Sequence, residues 1–173
     1  LQKFGSHREH FPDSKAELHL VGHLQTNKVR KALELFDMIH SVDSVHLAET
    51  LSRVAVELNR LVPVLIEVNT SGETSKYGVI PDQVLDITGQ AASFSNLHIL
   101  GFMTVGVWLA DPEQVRPCFQ MLRKIRDMVE SKHIPNVSTN ILSMGMSNDF
   151  EVAIKEGSTL VRIGTAIFGA RSS

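Results

Sequence analysis

Strand-length apolar runs and amphipathic stretches of helical period alternate along this chain about six times, joined by short connections. The run Val62-Pro63-Val64-Leu65-Ile66-Glu67-Val68-Asn69 is almost continuously apolar. Such runs suit parallel strands covered on both faces. Leu18 to Gly22 and Met38 to Val42 read as strands before it, and His98 to Val105, Asn140 to Gly145 and Thr159 to Gly169 as strands after it. Between them, Thr26 can cap a helix with Val29, Ala32, Leu33 and Phe36 on one face, and Asp43 or Ser44 opens a helix carrying Ala48, Leu51, Val54, Ala55 and Leu58. Pro81 suits the first turn of a helix bearing Val84, Leu85, Ile87, Thr88 and Ala91. Asp111-Pro112-Glu113-Gln114 combines a cap, an N1 proline and a reciprocal Gln ahead of the stripe Val115, Cys118, Phe119, Leu122, Ile125 and Val129. Pro117 predicts a kink there or a restart of the helix.

Strict alternation means a parallel sheet with helices outside it. A flat doubly wound sheet and a (β/α)8 barrel both satisfy the pattern, and 173 residues select neither, a barrel typically needing about 250. There is no low-complexity linker and no composition break, so residues 1–173 read as one domain. With 17 basic and 19 acidic residues interspersed, the formal charge is −2. A nucleic-acid or membrane-surface partner would call for a basic stripe, so neither is expected. The single Cys118 has no partner for an internal disulfide, which suits a reducing compartment. No apolar run approaches the roughly 18 residues that span a bilayer, and LQKFGSHREHF is unlike a signal peptide. A soluble, cytoplasmic monomer is the expectation. His7, His10 and His19 lack a Cys or carboxylate at ligand spacing, so no metal is expected.

The polar groups concentrate at the end, in Leu142–Arg171, LSMGMSNDFEVAIKEGSTLVRIGTAIFGAR. Ser147 reads as the N-cap of a short helix, Asn148, Asp149 and Glu151 suit its positive end, and Gly157 stops it. Two loops rich in Gly, Ser and Thr at the ends of adjacent parallel strands gather backbone N–H groups, an arrangement that suits a phosphate. Arg162 adds a permanent charge with a fixed fork of donors. Gly145 and Gly164 fit plain turn positions equally well. Asp149 and Glu151 could be paired carboxylates for acid–base work, but in a first helical turn they serve the dipole. His40, His98 and the remaining histidines are scattered and suggest no site.

The stretch SMGMSNDFEVAI…GSTLVRIGTAIFGAR resembles the C-terminal signature of the pyridoxal phosphate homeostasis protein family. HLVGHLQTNK at His19–Lys28, VNTSGETSKYGV at Val68–Val79 and GFMTV at Gly101–Val105 match in the family's order and cover most of the chain. The resemblance implies an alanine-racemase-type (β/α)8 barrel holding pyridoxal 5'-phosphate at the C-terminal ends of its strands. It implies that Ser143, Gly164 and Thr165 hold the phosphate, that Met146 and Ser147 line the same loop, and that Arg162 faces the pyridine nitrogen. The family's Ser-Lys-Thr-Lys-Pro motif, with the cofactor lysine on the first strand, is absent from this sequence. Its Phe-Gly-Glu-Asn-Tyr motif survives only as Phe4-Gly5 followed by Ser6-His7-Arg8. Against the family plan the chain therefore starts near the second strand, with the barrel incomplete at the N-terminus.

A lysine that forms a Schiff base must be desolvated enough to lose its proton. Lys28 falls in a first helical turn and Lys76 in a polar loop, both poor settings for that, although Lys76 lies within a matching motif and retains a loop-lining or cofactor-transfer role. His19 fits a site histidine and a satisfied core histidine equally. Trp108 fits packing or a partner contact. The function implied by the resemblance is that of a cofactor carrier and buffer for intracellular vitamin B6, handing on to recipient enzymes, without robust catalysis. The alternative is a pyridoxal-phosphate-dependent amino-acid racemase, which would need a second acid–base residue, and the only tyrosine is Tyr77. A third reading is a remnant that keeps phosphate contacts without a covalent link.

Overall fold

The computed structural model describes residues 15–107 and 109–169. The readings placed on Phe4-Gly5, His7, His10, Trp108 and Arg171 lie outside the described residues. Six strands form one sheet: β1 (His19–Leu20), β2 (Met38–Val42), β3 (Val62–Glu67), β4 (Leu97–Met103), β5 (Val137–Met146) and β6 (Leu160–Arg162). Each strand pairs in parallel with the next, in simple sequence order. That order removes the flat alternative, because a doubly wound sheet reverses its strand order at a switch point. The helices are α1 (Val29–Leu35), α2 (Val45–Glu57), α3 (Val84–Ala92), α4 (Arg116–Glu130), α5 (Phe150–Lys155) and α6 (Thr165–Phe168).

Alternation along the strands separates two apolar layers. Ile39, Val64, Ile66, Phe102 and Leu142 point outward into a core shared with Leu33, Leu51, Val84, Phe119 and Leu122 of the helices. Met38, Leu65 and Met103 form a smaller cluster on the opposite, concave face. The same face also carries polar groups: His40 and Glu67 follow Met38 and Leu65 by two residues, His19 pairs with Met38, and Ser143 pairs with Met103. Every pair from β2–β3 to β5–β6 carries a register shift, and such irregularities bend and twist the strands. Gly101 marks one of them. At φ +149°, an added Cβ would stand 1.9 Å from the Ile141 carbonyl oxygen, so only glycine lets β4 and β5 approach this closely.

Local signals acted mostly as their chemistry dictates. The Ser44 hydroxyl accepts the Leu47 N–H at the start of α2. Asp111 accepts the Glu113 N–H, a 3-10 turn covers Pro112–Val115, and α4 starts afresh at Arg116 with Pro117 in its first turn. Thr26 instead begins a 3-10 turn, Thr26–Lys28, and makes no capping bond; Phe36 falls just beyond α1. The expected strand from Thr159 to Gly169 is two elements, β6 and α6, because Gly164 at φ −119°, ψ −84° breaks the extended chain. Ser147 does not cap α5. That place belongs to Asp149, whose Oδ1 accepts the Met146 N–H at 2.6 Å.

Candidate functional site

Ser147 is drawn away from α5 by the neighbouring loop. Its hydroxyl oxygen accepts the N–H of Gly164 at 3.0 Å and of Ala166 at 3.2 Å. The loops after β5 and β6 are thereby joined by a single side chain. Beside this junction lies a cavity of about 300 Å3 lined by Met146, Ser147, Asn148, Asp149, Arg162, Gly164 and Thr165, with Val107 and Leu109 opposite. Five of the six residues singled out from the sequence share it. Ser143 does not; it lies fully buried on β5, beneath Arg162.

Arg162 is the electrostatic centre. Its Nη1 donates to the Ser143 carbonyl and hydroxyl oxygens, both at 2.8 Å, and its Nη2 to the Thr104 carbonyl at 2.8 Å. Among the described residues no carboxylate pairs with it directly. Burial draws its pKa down, while Asp149 and Glu67 oppose that from longer range. Arginine nonetheless remains protonated in proteins, so the cavity carries a cation compensated mainly by dipoles. Removing such a charge from water costs several kcal/mol, and an anionic ligand would offset part of that.

The bonds around Ser143 run one way in the tautomer that leaves both histidines neutral with His19 donating to Glu17. Arg162 can only donate, so the Ser143 oxygen accepts from it, and in that tautomer the Ser143 hydrogen goes to His40 Nδ1, 3.2 Å away. His40 Nε2 then donates to His19 Nδ1 at 3.1 Å, and His19 Nε2 to Glu17 Oε2 at 3.4 Å. Burial, then the His19 and Arg162 charges, lower the His40 pKa to about 3, so its ring is neutral as this chain requires. His19 is thus a half-buried member of the relay.

A second cavity, of about 310 Å3, lies at the ends of β1 and β3. Lys76 lines it, with Nζ 2.9 Å from Glu73 and donating to the Gly106 carbonyl at 3.1 Å. Tyr77 lines it too, stacked on His23 at 3.8 Å. Neither residue lines the Arg162 cavity, and Lys28 is exposed at the head of α1. Asn69 holds the loop between β3 and α3 by donating to the Glu73 and Lys76 carbonyls.

Sequence reasoning missed His40 and Glu67. Glu67 left a visible signal, a lone acid in an apolar strand. His40 left one only in hindsight: two positions from Met38, it shares the concave face, but nothing in the sequence says that this face curls enough for β2 to reach β5.

Comparison with known proteins places the chain. Residues 7–172 match the alanine racemase N-terminal domain. Over 171 residues the chain is 43% identical to the pyridoxal phosphate homeostasis protein of Aquifex aeolicus, covering 99% of this chain and 74% of that protein. The chain belongs to this family. A structure of PipY from Synechococcus elongatus with PLP bound superimposes with TM-score 0.87 at 33% identity, over 97% of this chain and 78% of that one. An unknown protein from Bifidobacterium adolescentis gives TM-score 0.83 at 46% identity over 87% of this chain, which spans 60% of that protein's length. The sequential parallel sheet is accordingly part of an alanine-racemase-type barrel wall.

Proposed function

We propose that this chain binds pyridoxal 5'-phosphate in the Arg162 cavity and serves in intracellular B6 homeostasis as a carrier and buffer rather than as a robust catalyst. The observation that carries the proposal is the cavity's composition: one protonated guanidinium with no partner carboxylate among the described residues, facing two loops of Ser, Gly and Thr that Ser147 ties together. Those residues fit a phosphorylated pyridine aldehyde. Gly164 and Thr165 would hold the phosphate, Met146 and Ser147 would wall it in, Ser143 would act through Arg162, and Arg162 would face the ring nitrogen. When bound, the cofactor supplies an aldehyde that combines reversibly with amines and a ring that can withdraw electrons. Arg162 limits the second property. It donates hydrogen bonds but does not release a proton, so a nitrogen facing it stays unprotonated and the ring remains a poor electron sink. A neutral ring is the weaker electron sink, which supports retention over turnover. A cytoplasmic setting, a monomeric state and transfer to recipient enzymes complete the reading. Among the described residues no helix is long and apolar enough to cross a membrane.

The test is a titration of the chain with pyridoxal phosphate, followed by visible absorption and by equilibrium dialysis. Saturable binding, competed by inorganic phosphate and weakened in Thr165→Val and Arg162→Met, is the expected result. Binding indifferent to both substitutions would refute the assignment.

A further inference from the structure

The second cavity contains a group that neither the fold nor the cofactor reading uses. Glu67 closes β3, is 7% exposed and lines the cavity, and among the described residues its Oε2 has no hydrogen-bond partner. The cations nearby are already engaged: Lys76 by Glu73 and the Gly106 carbonyl, and Arg162 by Ser143 and Thr104. The other acid is Asp43, whose Oδ2 lies 3.4 Å from His23 Nδ1. At Glu67, burial and then the Asp43 charge favour the neutral acid, outweighing Arg162, and its pKa is pushed up to about 7. The local field at this carboxyl is that of an anion short of a cation.

The rest of the cavity selects the kind of cation. Val21 and Val105 give it apolar walls, and the Tyr77 ring, 57% exposed and stacked 13° from parallel on His23, forms a third. Among the described residues no three His, Cys, Asp or Glu side chains are grouped to hold a metal ion. A small, strongly hydrated ion gains little from valine and tyrosine, whereas an alkyl chain and an ammonium head gain from both wall and carboxyl. We propose that this cavity binds a primary alkylammonium ion, its head received by the Glu67 carboxylate and its chain laid against Val21, Val105 and Tyr77. Because the empty carboxyl holds a proton near neutrality, binding expels it: the R–NH3+ and the Glu67 acid give an R–NH3+···carboxylate pair plus one H+. The inference stands without the cofactor reading.

Calorimetry of the full chain with n-butylammonium chloride tests it, run at about pH 6 in two buffers of different ionisation heat, with NaCl matched for ionic strength. Expected are saturable binding, a heat that differs between buffers because a proton is released, and affinity lowered about tenfold or more in Glu67→Gln. Tyr77→Ala, at an exposed position, should weaken binding without affecting folding. If Glu67→Gln fails to fold, the buffer dependence and Tyr77→Ala decide. No saturable binding by folded protein overturns the proposal, as does binding without proton release, binding unchanged in the folded variants, or equal competition by sodium.

Discussion

The Ser143 hydroxyl oxygen stands 2.8 Å from Arg162 Nη1 and accepts a hydrogen bond from it. The contact continues across the concave face: Ser143 bonds to His40, three strands further along the sheet, and His40 to His19. Replacing Ser143 by Ala removes an acceptor from a buried cation and a donor from a buried imidazole. The expected loss is about 1–3 kcal/mol of stability, read as a lower urea midpoint at neutral pH. A variant as stable as the parent would show that the relay is geometrically present but energetically idle.

His40 makes the acid side of the stability curve. Its folded pKa of about 3 lies below the ordinary value of 6.5, so below pH 6.5 the unfolded chain binds the proton and the folded one does not. The stability it contributes is complete above pH 6.5 and is lost as pH falls toward 3, on the order of 4–5 kcal/mol at the bottom. In a histidine-resolved NMR titration its ring should stay neutral down to about pH 4. A midpoint near 6.5 would contradict the buried chain. His40→Gln should flatten the acid limb.

Glu67 acts in the opposite sense. Its folded pKa of about 7 lies above the ordinary 4.5, so the folded state holds a proton that the unfolded chain has released. Stability therefore falls as pH rises from 4.5 to about 7 and is level beyond, a loss on the order of 3 kcal/mol. Glu67→Gln keeps the shape and removes the ionisation. The variant should match the parent near pH 4.5 and exceed it at about pH 8 in urea midpoint. Equal midpoints at both would mean that Glu67 ionises in the fold as freely as in water.

These three residues show where sequence reasoning stops. Val62 to Glu67, the helix stripes and the caps at Ser44 and Asp111 act through neighbours close in sequence, so period and capping chemistry reveal them. Although the strand read from Thr159 to Gly169 ends at Arg162, the Gly, Ser and Thr character of the loops after β5 and β6 was legible for the same reason. Ser147 was not, because its helix was one competitor among two: the Gly164 and Ala166 amides, 17 and 19 positions away, took the hydroxyl. His40 and Ser143 are 103 positions apart. Their meeting depends on the accumulated bend of four strands, which no local pattern encodes.

That bend can be tested at a glycine. Gly101 sits at φ +149° in the middle of the sheet, and a methyl group there would meet the Ile141 oxygen at 1.9 Å and its carbon at 2.8 Å. Both are backbone atoms of the adjoining strand, so no side chain can swing aside to make room. Gly101→Ala should destabilise the chain by about 3 kcal/mol or more, combining strain with a broken strand pairing. Gly164→Ala is the control, since nothing lies within 4 Å of the added Cβ and φ is negative. Its stability should change by no more than about 0.5 kcal/mol. Any loss of pyridoxal phosphate affinity in Gly164→Ala would then report on ligand space at the β6 loop rather than on folding. Urea denaturation of both variants separates the two roles, and comparable losses would refute the assignment of Gly101 to sheet curvature.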